Sequence, residues 1–195
     1  MKLAIIDTKC ANLASLHFAL QRLGFEAVIS NEKKELEKAD KLFLPGVGTA
    51  ARAMQNISQL QLCDFIKNTK KPLLGICLGM QLLGEFSQEL QQETLCIMPF
   101  NALKFKHKQG FTLPHMGWNN IEIIKENPLF QGLNQAYFYF VHSFCVHLNE
   151  FSIAKCEYSE PFTAALMNEN FFGVQFHPER SGEAGEILLK NFVNL

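Results

Sequence analysis

Apolar and polar positions along the first half of the chain fall into blocks that predict strands and helices in turn. Lys2–Ile6 is a short β-type run that Asp7 ends. Leu13, Leu16, Leu20 and Leu23 then recur at helical spacing up to Gly24, a residue suited to closing a helix. Ala27–Ile29 predicts a second strand, and Lys41–Leu44 a third that Pro45-Gly46 is expected to break. Helical patterns cover Ala50–Asn56 and Leu60–Asn68. Pro72–Ile76 predicts a fourth strand, with Leu78–Phe86 as the helix after it. Such alternation implies βαβ units and a parallel sheet with helices on both faces.

The second half changes character. Trp118–Ile124, Ala136–Val141, Ile153–Tyr158, Thr163–Met167 and Phe171–Phe176 are strand candidates with short connections, expected to add antiparallel strands to the sheet. Ala184–Val193 predicts a closing amphipathic helix. No repeat or low-complexity tract divides the chain, so residues 1–195 read as one α/β domain.

Composition narrows the setting. Hydrophobic residues make up 48% of the 195 and charged residues 19%, with a net charge of −1, which is not basic enough to suggest nucleic acid as the main partner. Asp7 interrupts the first apolar run too early for a signal peptide, and no apolar stretch approaches the roughly 18–20 residues of a membrane span. The six cysteines, Cys10, Cys63, Cys77, Cys96, Cys145 and Cys156, include no C-x-x-C pair. Free thiols in a reducing cytoplasm are the expected state.

One of those thiols sits in a distinctive place. Gly75-Ile76-Cys77-Leu78-Gly79 joins the end of a predicted buried strand directly to a helix start. That is the strand–nucleophile–helix elbow of the α/β-hydrolases with Cys for Ser, and the flanking glycines permit the sharp turn. A cysteine at a helix N-terminus meets free N–H groups and the positive dipole end, which favour thiolate over thiol. The N–H of Leu78 would point to where an oxyanion forms. By itself the pentapeptide fits a buried structural cysteine equally well.

Phe176-His177-Pro178-Glu179 ends the last predicted strand. Extended geometry before a proline puts positions 177 and 179 on one side, which suits a base, His177, oriented by a carboxylate, Glu179. A surface His and Glu beside a turn proline is the plainer alternative. Both motifs lie at C-terminal strand ends, where open α/β sheets place their sites, and together they form a nucleophile, base and orienter set. The glycine-rich Leu44–Gly48 segment could offer N–H groups to an oxyanion, but no Gly-Lys-Ser/Thr follows to make it a phosphate loop. His142, His147, His177 and Glu179 do not read as a metal site: His142 and His147 are five apart, and on one strand they face opposite ways.

Gly75–Gln81 (GICLGMQ) with Phe176–Glu179 (FHPE) resembles the class I glutamine amidotransferases. Pro45–Ala50 (PGVGTA), Pro114–Asn119 (PHMGWN), Tyr139–Ser143 (YFVHS) and His177–Ser181 (HPERS) are similar to one branch, the glutaminase subunits of imidazole glycerol phosphate synthase. The resemblance implies a flavodoxin-like amidotransferase fold and the catalytic set Cys77, His177 and Glu179. It further implies oxyanion donors at Gly46, Val47 and Leu78, and a glutamine site made by Gly48, Gln81, Glu89, Ser143 and Phe144. The oxyanion strand of this family is thought to turn an N–H into the site only when the partner is loaded. The partner would be a (β/α)8-barrel cyclase that receives ammonia and makes imidazole glycerol phosphate and AICAR phosphate. No nucleotide, metal or organic cofactor is implied. Trp118, Tyr137 and Arg180 are candidates for the partner surface, since aromatic and Arg anchors suit interfaces. Lys9 stands where many relatives have glycine, and Phe144 where tyrosine is common. A glutaminase for a different synthase, a stand-alone cysteine hydrolase and a non-catalytic module are the competing readings.

Overall fold

The computed structural model describes residues 1–195. Its strands are β1 (Leu3–Ile6), β2 (Ala27–Ser30), β3 (Lys41–Gly46), β4 (Leu73–Cys77), β5 (Phe86–Ser87), β6 (Gln92–Glu93), β7 (Asn101–Lys104), β8 (His115–Asn120), β9 (Glu122–Ile123), β10 (Tyr137–His142), β11 (Phe144–Val146), β12 (Ser152–Glu157), β13 (Pro161–Asn168) and β14 (Phe171–Val174). The helices are α1 (Leu13–Arg22), α2 (Lys33–Leu36), α3 (Ala50–Gln59), α4 (Cys63–Asn68), α5 (Leu78–Gln81) and α6 (Gly182–Asn194).

The main sheet runs β2-β1-β3-β4-β14-β13-β12-β9. Strands β2, β1, β3, β4 and β14 are parallel, and the last three are antiparallel. Successive residues of β1 serve opposite faces. Leu3 and Ile5 pack with Leu16, Leu20, Leu188 and Phe192 of α1 and α6. Ala4 and Ile6 pack with Ala53, Ile57 and Ile66 of α3 and α4. This period-two split is why the parallel strands read as unbroken apolar runs.

Several expectations need correction. Pro45 does not break β3, which continues to Gly46 and pairs Pro45 with Ile76 of β4. The register with β1 stops at Ile5–Phe43, so at Pro45 the β1 side is open and the missing N–H costs no ladder bond. The helix expected over Leu78–Phe86 is one turn, tightened at its end by bonds from Leu83 N to Met80 O and Gly84 N to Gln81 O. The Trp118–Ile124 run divides: β8 pairs with β10 in a separate two-stranded ribbon, and only β9 joins the main sheet. The Phe171–Phe176 strand is antiparallel to β13 as expected, but parallel to β4 on its other side. A small sheet, β11-β7-β5-β6, has strands of two to four residues, too short to carry a visible period.

Candidate active site

Where β4 meets α5 the chain turns on Cys77, whose φ is +54° and ψ −109°. A side chain at positive φ is strained, and the surrounding packing must hold it there. Here the packing is backbone against backbone. A Cβ on Gly75 would lie 2.7 Å from the Gly79 carbonyl oxygen, and one on Gly79 would collide with the Leu44 carbonyl. On Gly46 it would come within 3.0 Å of Leu78 Cβ. The three glycines thus bring the ends of β3, β4 and α5 together under the sulfur. Because α5 is a single turn, the dipole expected at Cys77 is that of a few peptides, and the larger electrostatic partner is His177.

His177 leaves the sheet just beyond β14 and is buried. Its Nδ1 donates to Glu179 Oε1 at 2.8 Å, with both side chains almost wholly covered. Its backbone N–H donates to the Tyr139 carbonyl at 2.9 Å. Ser181 Oγ accepts from Tyr139 N at 2.9 Å and donates to the His177 carbonyl at 2.6 Å. Burial alone would lower the His177 pKa; the Cys77 thiolate and then Glu179 outweigh it and push it up to about 10. The Nε2 atom is buried without a nitrogen or oxygen partner, so this edge of the ring is open to the sulfur and to a substrate.

Cys77, Leu78 and His177 line a cleft of about 290 Å³, as do Val47, Gly48, Gln81, Glu89, Ser143 and Phe144. The volume is of a size to take one small molecule. Gln81 Nε2 donates to the Phe144 carbonyl at 3.0 Å, so its free acceptor is Oε1. Glu89 Oε2 accepts the Ala50 N–H at 2.9 Å, which ties it to the first turn of α3. One expected oxyanion donor is otherwise engaged: the Val47 N–H donates to the Cys10 carbonyl at 2.8 Å and is turned away from Cys77. The Cys10 loop is itself held by Asn56 Nδ2, bonded to Thr8 O at 2.8 Å and Cys10 Sγ at 3.2 Å. Lys9 takes the positive φ, +59°, that a glycine would supply, with its N–H and Nζ both on the Asp7 carboxylate.

Residues 4–195 match the family model of the class-I glutamine amidotransferases. The imidazole glycerol phosphate synthase subunit HisH 2 of Campylobacter jejuni is 66% identical over 193 residues, covering 99% of this chain and 98% of that protein. The HisH subunit of Salmonella typhimurium is 51% identical over the full length of both. The chain belongs to the HisH glutaminase subunits of the class I glutamine amidotransferases. The solved structure of PurLQS from Thermotoga maritima shares the fold, with a TM-score of 0.74 at 18% identity over 99% of this chain and 97% of that one.

On this amidotransferase the β8–β10 ribbon has two faces. His115 and His142 point inward, while Trp118 and Tyr137 are 57% and 59% exposed. Arg180 is exposed and lies 5.0 Å over the Tyr139 ring, which in turn meets Trp118 edge-on at 6.2 Å. Met116, 62% exposed, belongs to the same surface and went unremarked in the sequence. His142 and His147 do face apart: His142 turns to His115, and His147 Nε2 lies 3.7 Å from Glu160. Cys145 joins His147 and Glu160 in one cluster, but the Lys106 ammonium, 3.9 Å from the same carboxylate, already balances its charge.

Three buried polar residues around the candidate site were not assigned to it in the sequence. Gln175 bonds to both Gln81 and Cys77, and Ser181 ties His177 to β10. His142 donates from Nδ1 to the Phe144 carbonyl at 2.8 Å and accepts at Nε2 from His115 Nδ1 at 3.0 Å. Burial lowers these two imidazoles to about 3 for His142 and about 4 for His115, so both are neutral. A lone polar letter inside FFGVQF was the available signal for Gln175.

Proposed function

We propose that Cys77 attacks the side-chain amide of glutamine and that the ammonia released passes to a (β/α)8-barrel cyclase docked on the β8–β10 ribbon. The observation that carries this reading is the buried His177 ring, bonded to Glu179 at Nδ1 and with Nε2 left free on the Cys77 side, at the strand ends of a glutaminase-family sheet. The Cys77 thiolate adds to the amide carbon, and the carbonyl π electrons move to oxygen. The tetrahedral oxyanion takes the Leu78 N–H. His177 gives its Nε2 proton to the amide nitrogen, ammonia leaves, and a glutamyl thioester remains. Neutral His177 then takes a proton from water, hydroxide adds to the thioester, and glutamate leaves as the thiolate re-forms. Glu179 keeps the ring oriented and stabilises its charged form.

Glu89, Gln81, Ser143 and Phe144 line the cleft, and the Glu89 carboxylate and Gln81 Oε1 are the acceptors for the substrate's α-amino group. The Val47 N–H, engaged by Cys10, leaves the oxyanion hole short of one donor in the free chain. Cleavage therefore runs slowly until the loaded cyclase turns the Gly46–Val47 peptide. Trp118, Tyr137 and Arg180 form the partner surface, joined to the site through the Tyr139–His177 backbone bond. The work is done in the cytoplasm, without metal or organic cofactor.

The test is glutamate release by the purified chain, alone and with cyclase and a cyclase ligand. Little release alone, a large rise with loaded partner, and complete loss in Cys77→Ala with ammonia-dependent synthesis intact are expected. Glutamine-dependent synthesis by Cys77→Ala at the wild-type rate would sink the assignment.

A further inference from the structure

Gln175 lies two residues before His177 and is completely buried. Its backbone N–H donates to the Ala164 carbonyl at 2.9 Å, which fixes the extended segment on β13. A buried carboxamide needs partners at both ends, and a third residue decides which end meets which neighbour. The Phe144 carbonyl oxygen can only accept, so the Gln81 atom 3.0 Å from it is the amide nitrogen. That nitrogen also lies 2.9 Å from the Gln175 carboxamide, so the atom it meets there is the oxygen. The Gln175 nitrogen is left facing Cys77, 3.7 Å from the sulfur.

We propose that Gln175 is a further residue of the catalytic centre: a donor, locked in direction by Gln81, that holds and aims the Cys77 sulfur as thiolate. This rests on the reading of Cys77 as nucleophile. The other polar neighbour of the sulfur besides His177 is the Val141 carbonyl at 3.8 Å. That carbonyl can accept from a thiol and repels a thiolate, so the two contacts pull the protonation state in opposite directions. With an apolar side chain at 175 the Val141 contact would stand unopposed except by His177. His177 contributes a charge that moves during turnover. Gln175 contributes a neutral N–H that is present throughout, including when the thioester breaks and the sulfur regains its negative charge.

The experiment is the pH profile of Cys77 alkylation by iodoacetamide, read on the Cys77 peptide by mass spectrometry because the chain has six cysteines. Gln175→Met keeps the length of the side chain and removes the donor. The pH of half-maximal alkylation should rise by about one unit, the scale of one hydrogen bond to a charged group. With cyclase present, kcat for glutamine should fall about tenfold while KM stays within about twofold. A profile superimposable on wild type overturns the proposal, even if kcat drops. Should Gln175→Met fail to fold, Gln81→Met releases only the lock. The pH of half-maximal alkylation should then rise by about half a unit, and an unmoved profile overturns the proposal. Alkylation is measured without turnover, so this outcome stands apart from that of Cys77→Ala. Glutamine use by Cys77→Ala would defeat the nucleophile assignment, whereas an inactive Cys77→Ala with an unmoved Gln175→Met profile would defeat only the role of Gln175.

Discussion

The two halves of the candidate catalytic pair are held by different forces. Cys77 is fixed by close backbone packing: Gly75 and Gly79 leave no room for a Cβ and Gly46 leaves little, and the strained φ of +54° persists because β4 and α5 are held against β3. His177 is fixed by hydrogen bonds: Glu179 at Nδ1, Tyr139 at its N–H and Ser181 at its carbonyl. Steric enclosure suits a group that must stay at one strained point while bonds form on it. Hydrogen bonds suit a group whose charge changes in each cycle, since they can be aimed at the charged form. The nucleophile side should therefore fail when volume is added, and the base side when a polar atom is removed.

The largest effect should come from the smallest added group. Gly79→Ala puts a methyl into the Leu44 carbonyl, a backbone atom in the middle of the sheet that cannot step aside. A destabilisation of about 4 kcal/mol or more is expected, read as a collapse of the urea midpoint or as insoluble protein. Melting within a few degrees of wild type would show that β3 and α5 can separate, and that enclosure is not what holds Cys77. On the other side, Glu179→Gln adds no volume and keeps an oxygen for Nδ1. It removes the charge that stabilises the imidazolium, so partner-dependent glutaminase kcat should fall about 10²-fold or more. The melting temperature should move by no more than about 5 °C. A large loss of stability with an intact residual rate would reverse the comparison.

How much of this was legible in the sequence follows the same division. The βαβ half was readable because parallel strands buried on both faces are written as apolar runs, and the elbow because close backbone approach is written as glycine at 75 and 79. The second half was read less well. Strands β5 and β6 are two residues each, and the strand expected over Trp118–Ile124 feeds two different sheets. Pairing of that kind depends on partners remote in the chain, which a local period does not record. The Val47–Cys10 bond was invisible for a related reason, since it joins two loops that carry no pattern of their own. Gln175 and Ser181 matter through what they touch, and a single polar letter does not say what that will be. Lys9 shows the converse: a residue with a side chain takes a positive φ of the kind that favours glycine, with the Asp7 carboxylate holding both its backbone and its ammonium.

The smallest effect expected on the hydrogen-bonded side is one of pH. His115 is buried against Phe140 and Tyr158, accepts at Nε2 from Asn119 Nδ2 at 3.5 Å, and donates from Nδ1 to neutral His142. The structure has no acceptor for a second proton, and burial holds the His115 pKa down to about 4. The unfolded chain, with an ordinary imidazole near 6.5, takes the proton first. The native stability tied to this group is therefore complete above about pH 6.5 and is lost as pH falls from there toward 4, at a slope of about 1 kcal/mol per pH unit. His115→Gln retains a donor for His142 and cannot titrate. Its urea midpoint should differ little from wild type at pH 7.5 and should fall less steeply between pH 6.5 and 4.5. Parallel curves for the two proteins across that window would mean that the histidine pair accepts protons in the fold.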